Sequence, residues 1–232
     1  MTRPTSLAVH REKFVKLMVK DTDVRSGMRA WNANCCGMHV HIDSQAFTAL
    51  SLGKLVQFFD DEANATFIRE IAGRHPDTDS QAESYAKRSS SVSGPLNPSK
   101  MLKGKTSNRF VMVNTQNLEN RARERLGLPY GGEYGDGGTV EIRIFRASLR
   151  PERHLAQIEF AHALVVFCRT ASMRQLNGAA LVTWLKTSGT AYPWLCKWYA
   201  VNPKHGVRKN EPATVQSDYA TTAEVDTADA CA

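Results

Sequence analysis

A chain of 232 residues, 42% hydrophobic and 23% charged, is long enough for one sizeable domain with its own core. No apolar run approaches the roughly 20 residues that span a bilayer, and the N-terminus lacks the apolar stretch of a signal peptide, so a cytoplasmic protein with no membrane partner is expected. Five cysteines, with no Cys-x-x-Cys pair, point to free thiols rather than a disulfide framework, and the formal charge of +7 would collect anions, ATP and nucleic acid alike.

In chain order, residues 10–32 read as helical, with Phe14, Leu17 and Met18 on one face and Gly27 as a weak point. Cys36 to Asp43 alternates apolar and polar residues, the period of a strand with one packed face. Ser44 is the expected N-cap of a helix carrying Phe47, Leu50, Leu52, Leu55, Val56 and Phe59. A second helix covers Asn64 to Ala72 and stops at Gly73 and Arg74. Residues 75–107 are polar, with a serine run and two prolines, and read as a long mobile loop.

Arg109 to Asn114 is the next predicted strand, and residues 115–138 a second connection ending in a glycine-rich stretch. That stretch lacks the Gly-Lys-Ser/Thr of a phosphate-binding loop and reads as a turn. Thr139 to Arg146 alternates again, with Val140, Ile142 and Ile144 toward a core. Pro151 opens a helix running to Thr170, with core positions at Leu155, Ile158, Phe160, Leu164 and Phe167. Leu181–Leu185 and Trp194–Tyr199 suggest two short helices, whose tryptophans read as core packing rather than a base-stacking platform. Residues 1–202 thus form one domain, and 203–232 a disordered tail.

The chemistry lies on the polar faces of the two alternating strands. His39, His41 and Asp43 share one side of the first, and Glu141 and Arg143 one side of the second. Imidazole, carboxylate and guanidinium on one face of a sheet are the groups that hold metals and phosphates. The plainer alternatives are half-exposed histidines and a cross-strand ion pair. A zinc site made of Cys35, Cys36, His39 and His41 is disfavoured, because one strand cannot turn four near-consecutive side chains onto one ion. Arg109 suits bidentate capture of a phosphoryl oxygen or carboxylate. Asn114 has the opposite parity in a regular strand and is the weaker candidate.

Gly-Met-His-Val-His at 37–41, Ala-Gly-Arg at 72–74, Arg-Phe-Val-Met-Val-Asn at 109–114 and Thr-Val-Glu-Ile-Arg at 139–143 occur in an order that resembles the amidoligase family of phage and bacterial genomes. That family belongs to the glutamine synthetase-like carboxylate–amine ligases. The likeness runs from about Asn34 to about Cys168. It implies an α+β fold, with a glutamine synthetase-like antiparallel sheet and helices packed on one face. It also implies an ATP- and Mg²⁺- (or Mn²⁺-) dependent enzyme that phosphorylates a carboxylate and displaces the phosphate with an amine. Its substrates would be a small-molecule or peptide carboxylate and an amine. By the same resemblance His39 and Glu141 bind metal, His41 and Arg74 lie at the nucleotide, and Arg109 and Arg143 hold the reacting groups.

One element of the pattern is missing. The resembling ligases carry an early Glu-x-Glu strand, and before His39 only Glu12, Asp21 and Asp23 are acidic. The chain is therefore expected to be N-terminally incomplete relative to the family, with self-association as one consequence. The alternative is a catalytically incomplete relative that acts as a nucleotide- or anion-binding module. Nucleic-acid binding through the basic surface ranks last, with no aromatic-basic motif or helix-turn-helix pattern to carry it.

Overall fold

Two alternating segments pair with each other and carry the rest. In the computed structural model, which describes residues 7–16, 37–74, 111–128, 130, 138–188 and 191–200, they form β1 (Gly37–Asp43) and β3 (Thr139–Arg146), with a short β2 (Val113–Asn114) between them in sequence. The sheet is antiparallel throughout, in the order β1-β3-β2. Met38, Val40 and Ile42 of β1 turn toward the same core as Val140, Ile142 and Ile144 of β3, as the alternation requires.

Helices cover that apolar face. After α1 (Leu7–Val15), α2 (Ala49–Asp60) and α3 (Ala65–Ala72) follow β1, and α4 (Asn120–Arg125) precedes β3. Next come α5 (Pro151–Thr170), α6 (Gly178–Ser188) and the short α7 (Pro193–Leu195), which continues into a turn of π-helix over Cys196–Ala200. Pro151 occupies the first turn of α5, where its missing N–H costs nothing. Phe160 of α5 meets Phe145 of β3 edge-to-face at 6.1 Å, which seats the longest helix on the sheet. Lys54 of α2 donates to the Ala171 carbonyl at 2.6 Å and so closes the C-terminal end of α5. The architecture is α+β, as expected. No described helix is long and apolar enough to cross a membrane.

Several boundaries move. α1 begins at Leu7, three residues earlier than expected, and the predicted continuation past residue 16 lies outside the described residues, as do the loop at 75–107 and the tail after residue 200. Ser44 does not cap α2. It starts a 3-10 turn capped by Asp43, whose carboxylate accepts from Gln45 N–H at 2.8 Å. Thr48 is the cap of α2, in a reciprocal capping box with Ser51. Leu50, expected in the core, is 54% exposed, and Ile158 of α5 is only half-buried. The connection at 115–138 contains α4, whose Arg123 is fully buried and donates to the carbonyls of Leu118 and Thr115 at 3.0 and 2.9 Å. Trp184 packs on Phe167 and Tyr192, each at 5.9 Å, in agreement with its reading as a core residue.

α1 is tied to α5 by charge and by stacking. Arg11 pairs with the fully buried Glu159 at 2.6 Å, whose other oxygen accepts from Leu195 N–H at 2.8 Å. His10 stacks on His154 at 6.0 Å. Burial and the neighbouring His10 push the His154 imidazole down to about 3 from 6.5, and burial also lowers His10. A depressed pKa means that the unfolded chain takes up a proton the folded one refuses. The stability these groups contribute is therefore complete above 6.5 and drains away as pH falls toward 3. Glu159 works in the opposite sense, since burial raises its carboxyl more than Leu195 and Arg11 lower it. Tm is expected to fall between about pH 7 and about pH 4, and His154→Phe to flatten that slope. A slope unchanged in the variant would exclude this pair as its source.

Candidate functional site

Glu141 is the centre of the exposed sheet face. It lies on the middle strand, directly opposite His41 of β1 on one side and Asn114 of β2 on the other. The pairing of β1 with β3 is irregular between Met38 and Val40, whose partners are Phe145 and Ile142. One residue of β1, His39, therefore faces two of β3, Arg143 and Ile144, which is a β-bulge. The bulge reverses the parity of β3 beyond it. Phe145 is buried as a result, although strict alternation would place it with Glu141 and Arg143.

The Glu141 side chain is 4% exposed and approached from every side by donors. His39 Nδ1 lies 2.7 Å from Oε1, Asn114 Nδ2 donates to Oε2 at 2.9 Å, and Arg143 Nη1 stands 3.4 Å from the same oxygen. Burial alone would raise this carboxyl. The His39 hydrogen bond, the Arg143 charge and the Asn114 hydrogen bond outweigh it and hold the pKa at about 2. Glu141 is a fixed anion at any physiological pH.

The two histidines relate to it differently. The 2.7 Å separation of His39 Nδ1 from Oε1 is a hydrogen bond, with the imidazole N–H donating. It turns His39 Nε2 away from the carboxylate. His41 Nε2 stands 3.6 Å from Oε1, while its Nδ1 is 3.2 Å from the Thr139 hydroxyl. Ligands of one ion bonded at about 2.1 Å and at angles between a right angle and tetrahedral lie about 3.0–3.5 Å apart. The His41–Glu141 spacing of 3.6 Å lies just beyond that range, and the His39–Glu141 spacing of 2.7 Å falls short of it. Among the described residues no group of three or more His, Cys, Asp or Glu side chains is arranged to hold a metal ion. Two protein donors, one nitrogen and one oxygen, are the set present. Mn²⁺ or Zn²⁺ accepts such a pair more readily than Mg²⁺, which favours oxygen.

Neither a family model, nor a curated protein, nor a solved structure matches this chain.

The arginines divide. Arg143 sits beside Glu141 with its side chain 15% exposed, and its Nε is buried without a hydrogen-bond partner among the described groups. Arg74 follows Gly73, the left-handed residue (φ 70°) that ends α3. Its Nε donates to the Ile144 carbonyl at 2.8 Å and one terminal nitrogen to that of Phe145 at 3.4 Å. It thus braces the bulge and comes up beside β1. Arg109 lies outside the described residues.

Asn114, the weaker candidate by parity, is the residue that reaches Glu141. Parity would count against it only in a strand continuous from 109. Among the described residues Met112 instead bends the chain, and the strand covers Val113 and Asn114. Thr139 opens one of the motifs but is not among the candidate site residues read from the sequence. Its position opposite Asp43 at the end of β1 brings its hydroxyl to His41.

Proposed function

We propose that this face belongs to an ATP-dependent ligase that joins a carboxylate to an amine, on a glutamine synthetase-like sheet of the kind the sequence resembles. The observation that carries the reading is the ionised Glu141, fixed by His39 and Asn114 on a middle strand with His41 Nε2 3.6 Å away. Glu141 and His41 would hold a divalent ion, with nucleotide oxygens and water completing its shell. When bound, that ion supplies neutralisation of phosphate charge.

The chain's own residues do the rest. His39 and Asn114 fix the carboxylate so that it needs no reorganisation when cations arrive. Arg143 offers a planar fork to the transferring phosphoryl group or to the carboxylate that receives it. Such transfer is mostly positioning and charge neutralisation, which is what this set of groups supplies.

Calorimetric titration of ATP into the full chain tests the reading. Binding that requires Mn²⁺, and is weaker with Mg²⁺, is the expected result. A second reading, a nucleotide- or anion-binding module without catalysis, is favoured by the presence of only two protein donors for an ion among the described residues. It gains if ATP binds equally with and without metal. No binding under either condition sinks both.

A further inference from the structure

Three polar atoms converge on the exposed position where Gly37 has no side chain. A methyl group built on its Cα would lie 3.5 Å from His39 Nε2, 3.6 Å from Arg74 Nη2 and 3.6 Å from the Phe145 carbonyl oxygen. Those are ordinary van der Waals distances, so packing does not demand a glycine. Gly37 has no left-handed φ either, so the backbone does not demand one. What the missing side chain provides is room, open to solvent, between an imidazole nitrogen and a guanidinium.

We propose that this room is a phosphoryl subsite, with one phosphate oxygen accepting from Arg74 and one phosphate hydroxyl donating to His39 Nε2 or to the Phe145 carbonyl. The bond from His39 Nδ1 to Glu141 aims the opposite ring nitrogen, Nε2, into the space. Arg74 is oriented by its bonds to Ile144 and Phe145, and its fork presents several N–H groups in one plane. The Phe145 carbonyl repels a fully ionised oxygen but accepts from a P–OH. That selects a phosphoryl group with one proton over a carboxylate, which has no donor to offer.

The subsite rests on the ligase reading only for its purpose, and it exchanges the two histidines relative to the resemblance. His41 takes the metal side and His39 the phosphate side.

Inorganic phosphate titrated into the isotopically labelled full chain, without nucleotide or metal, tests the subsite. Saturable shifts at the Gly37 amide and the His39 ring are expected, with acetate binding more weakly. Gly37→Ala fills the space without a clash, so it should keep the wild-type Tm and lose about tenfold in phosphate affinity, the effect of one charge-assisted hydrogen bond. Arg74→Lys should weaken binding as well. Equal phosphate affinity in Gly37→Ala, or no shift at Gly37 and His39 in the wild type, overturns the proposal. Acetate binding as tightly as phosphate overturns the phosphoryl assignment. If Gly37→Ala fails to fold, the wild-type shifts decide alone. Because neither ATP nor metal is present, a failed ligase reading leaves these outcomes legible.

Discussion

Gly73→Ala is expected to destabilise the protein by about 3–5 kcal/mol, from two separable causes. The first is the left-handed backbone at φ 70°, which costs a residue with a Cβ about 1 kcal/mol. The second is steric. The new methyl would sit inside the contact distance of Arg153 Nη2, with Cζ at 2.7 Å and Nε at 3.2 Å. Arg153 is fully buried, so its guanidinium has nowhere to retreat without moving α5. Gly127 supplies the control, because it has nearly the same φ, 71°, and a methyl added there would meet no atom of the described residues within 4 Å. Gly127→Ala should therefore show only the backbone cost, about 1 kcal/mol. Urea midpoints of both variants measure the difference. Equal losses would mean that Arg153 yields and the steric cause is wrong.

Glu141→Gln should abolish metal-dependent ATP binding, by about 10²–10³-fold in affinity, while the chain remains folded. The charge that would hold the ion disappears, and the amide cannot satisfy its neighbours. Both His39 and Asn114 donate to Glu141, one to each oxygen. A glutamine offers one acceptor and one donor, so one of the two neighbours meets an N–H. That mismatch costs about 1–3 kcal/mol of stability. Tm and calorimetric titration of ATP with Mn²⁺, on the same preparation, separate the two effects. Undiminished Mn²⁺-dependent binding in a folded Glu141→Gln chain would remove Glu141 from the metal site.

The elements legible in the sequence are those decided by local chemistry. The alternation of Met38, Val40 and Ile42, the proline opening α5 and the glycine closing α3 each act within a few residues. The features that escaped depend on partners far along the chain. Ser44 and Thr48 are equally good caps on paper. Arg125 binds the Ser44 and Phe47 carbonyls, at 2.8 Å each, and so helps set the turn that leaves the cap to Thr48. α4 has a polar sequence with no apolar stripe, and its buried Arg123 draws on the carbonyls of the preceding turn. The bulge opposite His39 leaves no mark in the β3 sequence, yet it buries Phe145. The residue types of the candidate site were legible in the sequence, and the unequal distances of His39 and His41 from one Glu141 oxygen, 2.7 and 3.6 Å, were not.

The site is also a late event in the life of the chain. His41 and its Thr139 partner are 98 residues apart in sequence, and every contact Glu141 makes with β1 spans a similar loop. Closing a loop of that length costs about 4 kcal/mol of chain entropy before any pairing repays it, and topologies rich in such contacts fold slowly. α5, by contrast, needs only its own 20 residues to form its hydrogen bonds. During synthesis β1 must wait for β3 to emerge, as an unpaired strand whose two imidazoles have not yet met Glu141.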